Sequence, residues 1–166
     1  MEALLIFGGP LATLCAGLLY LAGRPEHHAI AGRSPHLRRL LLGLYGPEVL
    51  SRHRHALEGG AGRPDLTKAA RRLLLLDLAF PPIYGGALAA GLLVAWWKIG
   101  MPFGLSLLLL PVILAMAADW FENLVQLASR PSAVVVRLAG VATVLKLVGV
   151  TASFVLLLWL VVRVYA

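Results

Sequence analysis

The stretch Met116-Ala117-Ala118-Asp119-Trp120-Phe121-Glu122-Asn123-Leu124-Val125-Gln126-Leu127-Ala128 decides the fold. Asp119, Glu122, Asn123 and Gln126 stand at offsets of zero, three, four and seven, which is one continuous stripe on a helix. The other faces are apolar, and the stretch continues an apolar run that begins at Phe103. A hydrocarbon core takes about 20 such residues, so the segment reads as a membrane span. Carboxylates inside a span are costly and mark either function or a tight contact between helices. The stripe must face protein or water, because lipid satisfies no polar group. Two carboxylates one turn apart repel, so a proton or a cation has to accompany them.

Working outward, three more segments are long and apolar enough to cross a bilayer. The spacing predicts spans over 3–22, 73–97, 103–128 and 133–165, all within a single membrane domain of residues 1–166. Short connections at 98–102 and 130–132 make the last three antiparallel neighbours. The fold class that follows is an all-α polytopic membrane protein, a four-transmembrane-helix bundle.

Composition agrees. Of the 166 residues, 60% are hydrophobic and only 14% charged, with a mean hydropathy of +0.84. Soluble domains are nearer half apolar. Ten of the fifteen Lys and Arg lie between Arg24 and Arg72, with all five His and only four acids. Such a basic loop belongs on the cytoplasmic side, which leaves both termini outside. Orientation alone accounts for the positive charge, so nucleic-acid binding is not implied. Cys15 is the single cysteine and allows no internal disulfide. Met1-Glu2 carries no positive region, so the first apolar segment reads as a retained helix. Leu/Ala/Gly/Arg-rich usage associates the chain with a bacterial plasma (inner) membrane.

The basic loop, 23–72, has structure of its own. Ser34-Pro35 reads as an N-cap with Pro at the first helical position, opening a short basic and apolar helix over 36–42. Gly46-Pro47-Glu48 opens a second helix that Gly59-Gly60 closes. A third starts near Pro64-Asp65 and runs unbroken into the second span. Basic amphipathic helices of this kind lie in the headgroup layer, and Arg71-Arg72 reads as an anchor to anionic lipid. His53 and His55, interleaved with Arg52 and Arg54, read as a solvated face rather than as metal ligands, as do His27-His28, because nothing completes a ligand set.

The second span holds Asp77 and, seven residues on, Tyr84, on one face. Pro81 and Pro82 remove backbone donors between them and should kink the helix, freeing carbonyls for a cation, hydroxyl or water. The plainer expectation for Asp77 is a pair with Arg71 or Arg72. Lys146 in the fourth span lies nine residues past Arg137. Asp119 lies nine residues before Ala128, so each is about 13 Å deep. An antiparallel pairing therefore brings Lys146 level with Asp119 or Glu122 and predicts a salt bridge. Asp77, Asp119 and Glu122 then oppose a single Lys. Gly9, Thr13 and Gly17 form a small-residue strip for close approach of another helix, as do Gly85, Gly86 and Gly91. Trp96, Trp97 and Trp159 read as interfacial belt residues.

These residues define the candidate site. Asp119, Glu122 and Lys146 are the catalytic candidates, and Asp77, Tyr84 and Asn123 the ligand-binding ones. Acids with separated pKa values are suited to proton transfer on a lipid or other amphiphile. Oxygen ligands without His or Cys would favour a divalent cation such as Mg²⁺ over Zn²⁺. Two other functions fit the pattern. One is a proton- or ion-translocating homo-oligomer. The other is an accessory or assembly subunit whose stripe meets a larger membrane complex.

The pattern Asp77-x-x-Phe80-Pro81-x-x-Tyr84-Gly85, then Asp119-x-x-Glu122-Asn123, then Thr143-x-x-Lys146 resembles a group of small bacterial integral membrane proteins with four predicted helices. Tyr45-Gly46-Pro47-Glu48 fits the same pattern. The resemblance implies a shared polar centre and no named activity.

Overall fold

A computed structural model describes the backbone of residues 2–44 and 46–166, with the side chains of that set except 2–10, 13 and 41. Among the described residues the chain is all helical. The segments are α1 (Glu2–Ala31), α2 (Leu37–Leu41), α3 (Pro47–Glu58), α4 (Thr67–Asp77), α5 (Phe80–Lys98), α6 (Leu105–Leu127) and α7 (Ala133–Tyr165). Leu78 and Ala79 keep right-handed helical dihedrals, so α4 and α5 form one interrupted rod of 32 residues. That rod, α6 and α7 are long and apolar enough to cross a membrane. At about 1.5 Å per residue, α6 spans ~35 Å, and α7 exceeds a ~30 Å hydrocarbon core.

The helix ends follow from local chemistry. Pro47 sits in the first turn of α3, where its missing N–H costs nothing, and Gly59 ends the helix at φ +74°. Ser132 caps α7, its Oγ accepting from the Val135 N–H at 3.3 Å. Pro81 and Pro82 fall in the first turn of α5, just after the helix breaks at Leu78–Ala79. Other boundaries depart from expectation. The first helix continues through Pro25 to Ala31 rather than stopping at Ala22. The helix expected from Pro64-Asp65 starts at Thr67, whose N–H and hydroxyl both bond Asp65 Oδ1. It is then interrupted at Leu78–Ala79, because prolines follow immediately.

Helices α6 and α7 form the most extensive pair, joined antiparallel through 128–132. Gly149 makes their approach possible, since a Cβ there would lie 2.7 Å from the Pro111 carbonyl oxygen and 3.0 Å from Ala115 Cβ. The interrupted rod packs on both, and α1 packs on the rod. Two apolar clusters sit at opposite ends. Leu40, Leu50, Val125, Val136 and Ala139 form the one near the loop. Leu88, Leu92, Ala95, Leu108, Val112 and Leu160 form the other. The outward faces of α6 and α7 expose large apolar side chains such as Leu107, Ile113, Val148 and Val155, as helices in lipid do.

The small-residue strips are only partly used. A Cβ at Gly85 would overlap the Met116 thioether, and one at Gly91 would touch Leu157. Gly86 and Gly17 have no neighbour within 4 Å, so Gly17 is not the close-approach residue its spacing implied. The side chain of Thr13, like position 9, lies outside the described residues, as does Tyr45.

Candidate functional site

The polar stripe of α6 turns inward. Asp119, Glu122 and Asn123 are 4%, 3% and 2% exposed, and only Gln126 at the helix end is half-buried. Lys146 of α7 reaches across at the depth that the antiparallel register predicts. Its Nζ lies 3.0 Å from Asp119 Oδ1 and 2.9 Å from Glu122 Oε2. The remaining oxygens are also filled. Tyr84 of α5 donates its hydroxyl to Asp119 Oδ2 at 3.2 Å, and Gln126 Nε2 donates to Glu122 Oε1 at 3.2 Å. Each of the four carboxylate oxygens therefore has a donor, and Lys146 serves two of them. An ionised carboxylate only accepts, so this closure suits two charged acids and needs no proton between them.

The arrangement does not fit a divalent cation. The Lys146 ammonium occupies the place between the carboxylates where a metal would sit. Among the described residues no three His, Cys, Asp or Glu side chains converge on a metal-sized space.

Asp77 differs from the other two acids. It ends α4 just before the break and makes no ion pair among the described residues. The expected pair with Arg72 does not form, because Arg72 Nη1 bonds Glu26 Oε1 of α1 at 2.9 Å instead. Arg72 is thus paired within the chain, with its side chain still 67% exposed. Asn123 sits near the Asp77 carboxyl, but its Nδ2 is buried with no partner.

Two cavities meet at this layer. One of about 320 Å³ runs from His27 and His53 past Leu73 to Asp77, Glu122, Asn123 and Lys146. The other, about 570 Å³, is walled by Ala12, Ala16, Phe80, Tyr84, Asp119 and Phe154. Asp77, Phe80 and Lys146 line both. Asp77 and Tyr84 do share a face, as their spacing implied.

The break frees carbonyls as expected, and one is already taken. Pro82 has no N–H for the Leu78 carbonyl, and Trp120 Nε1 donates to that oxygen at 2.9 Å. Trp120 thereby fixes α6 to the break beside Asp77, a role its position next to Asp119 did not reveal.

The loop contributes two contacts that its sequence hid. Ser34 does not cap α2; His36 holds the cap position without a side-chain bond. Ser34 is buried and its Oγ lies 2.7 Å from His53 Nδ1. His53 is therefore not on a solvated face, although His55, beside Glu58, is. Burial, followed by the nearby His36 and Arg54, lowers the His53 imidazole to about 4. Arg54 is the other contact. Its Nη2 donates to the Ala128, Gln126 and Val125 carbonyls at 2.6, 3.0 and 3.4 Å, and its Nη1 to Ser129 at 3.1 Å. The last carbonyls of a helix have no partners of their own, so Arg54 serves as an external cap that binds α3 to the end of the polar stripe. Alternating Arg and His in a polar helix carries no signal that singles out this one.

No known protein family, curated protein or solved structure matches the chain.

Proposed function

We propose that this chain is a multi-pass protein of a bacterial inner membrane that binds an amphiphile in an intramembrane polar pocket. In this reading α1 is the fourth span, residues 23–72 face the cytoplasm and both termini lie outside. The observation that carries it is Asp77, a carboxyl with no ion pair among the described residues and the Asn123 amide beside it, placed where the 320 and 570 Å³ cavities meet. Their walls are mainly apolar, as the tail of a lipid requires, and the polar groups converge at one layer, as a headgroup requires.

The roles within the cluster divide accordingly. Lys146, Asp119 and Glu122 hold α6 and α7 in register and set the field. Asp77, with Asn123 beside it, meets the ligand. Any proton transfer would pass through Asp77, since Asp119 and Glu122 are closed off by their donors. The stripe is covered by α7 and by Tyr84 within the chain, which removes the reason to assign it to a partner subunit.

Native mass spectrometry of the protein extracted gently in maltoside tests the reading. An amphiphile should accompany the wild type and be lost from Asp77→Asn. Wild-type protein free of any bound lipid under these conditions would sink it. A proton relay is the second reading, favoured by Asp77 and Lys146 lining both cavities. It predicts proton flux in liposomes that Asp77→Asn abolishes.

A further inference from the structure

The three acids of the site are not balanced by protein cations. Lys146 provides one positive charge, and it is shared between Asp119 and Glu122. Both carboxylates are complete as anions, because Tyr84 and Gln126 fill the oxygens that Lys146 leaves. The triad therefore keeps one excess negative charge, and Asp77 brings a third carboxylate into the same layer. No other described cation is directed at it. Arg72 is bound to Glu26, and Arg71 and Arg137 are exposed. A proton could neutralise Asp77, but the surroundings are arranged for something larger.

Two features describe that occupant. Phe80 and Tyr84 stand on the cavity wall with Asp77, their ring centroids 5.5 Å apart and tilted by 51°. Aromatic faces next to a carboxylate attract ammonium groups, through the ring quadrupole and through charge, most strongly where water is excluded. The rest of the larger cavity is Ala12, Ala16, Ala87, Leu88, Val150 and Phe154, whose alanines leave room for a hydrocarbon chain.

We infer that the pocket is selective for a cationic amphiphile, with its ammonium head at Asp77 against Phe80 and Tyr84 and its alkyl tail in the 570 Å³ cavity. This rests on the amphiphile-binding reading and specifies the head. A carboxylate or phosphate head meets three acids and is repelled. An alcohol head fits the space but leaves the charge excess in place.

Three chain-matched probes separate these possibilities: dodecylamine, 1-dodecanol and dodecanoate, each radiolabelled and titrated onto the full chain in maltoside at neutral pH. Saturable dodecylamine binding at least about tenfold tighter than dodecanol is expected, with dodecanoate weakest. Asp77→Asn should bring the amine to within about twofold of the alcohol. Phe80→Leu should weaken the amine alone, and it keeps the test open should Asp77→Asn fail to fold. Equal affinity for amine and alcohol, tighter binding of dodecanoate, or an Asp77→Asn protein that still prefers the amine would overturn the inference. If none of the three probes binds saturably, the pocket reading itself falls. If the alcohol binds as well as the amine, the pocket stands and only its charge selectivity is lost.

Discussion

The seam between α6 and α7 and the break between α4 and α5 both place carboxylates inside apolar helices, yet they treat them in opposite ways. At the seam each oxygen of Asp119 and Glu122 has a donor at 2.9–3.2 Å. At the break Asp77 has no ion pair among the described residues and only the Asn123 amide beside it. A closed network holds helices in place, and changing it reports on folding. An open acid costs the fold some stability and remains free to bind. The contrast separates the charges that build the bundle from the one that serves it.

Removing the cation that bridges the seam's two acids should have the largest effect. Lys146→Met leaves two buried carboxylates uncompensated, a loss on the order of 3–5 kcal/mol. Thermal unfolding in detergent should show it, whereas Asp77→Asn, which removes a carboxylate that no cation compensates, should leave stability unchanged or raised. Equal losses in the two variants would erase the distinction between closed and open acids.

Acid offers a second probe, directed at the loop that closes the seam's end. The unfolded His53 imidazole takes up a proton near 6.5, while the folded one resists until about 4. Folded stability from this group is therefore complete above pH 6.5, declines as the pH falls, and levels off below about 4. The whole change is at most about 3 kcal/mol. His53→Gln should flatten unfolding curves across that window. A wild-type protein with constant stability between pH 7 and 4.5 would contradict the burial of this imidazole.

The smallest effect is expected at the break. Trp120→Phe keeps the ring and removes the donor to the Leu78 carbonyl, at a cost of about 1 kcal/mol. Because that bond fixes the helix break beside Asp77, ligand affinity should fall more than stability does. A loss in stability with unaltered binding would show that the break is held by packing alone.

Some of this was legible in the residues and some was not. The stripe at Asp119, Glu122, Asn123 and Gln126 and the level of Lys146 follow from spacing within one helix or from counting along two. The contacts of His53 with Ser34, Arg54 with residues 125–129, and Trp120 with Leu78 join positions 19 to 75 residues apart. They depend on how helices rotate and cross, for which periodicity holds no record. Gly17 failed for the same reason: small residues permit close approach, but only the arrangement of neighbours decides whether any helix arrives.

By itself the amino-acid order determined the helical class, the long apolar rods and the depth of the charged groups. Hydropathy and helical rise act locally, and each rod must satisfy its own backbone. Only the tertiary structure decided which acid would be closed and which left open. Lys146 can reach two carboxylates but not three, and helix rotation directs Tyr84 and Gln126 to Asp119 and Glu122 rather than to Asp77.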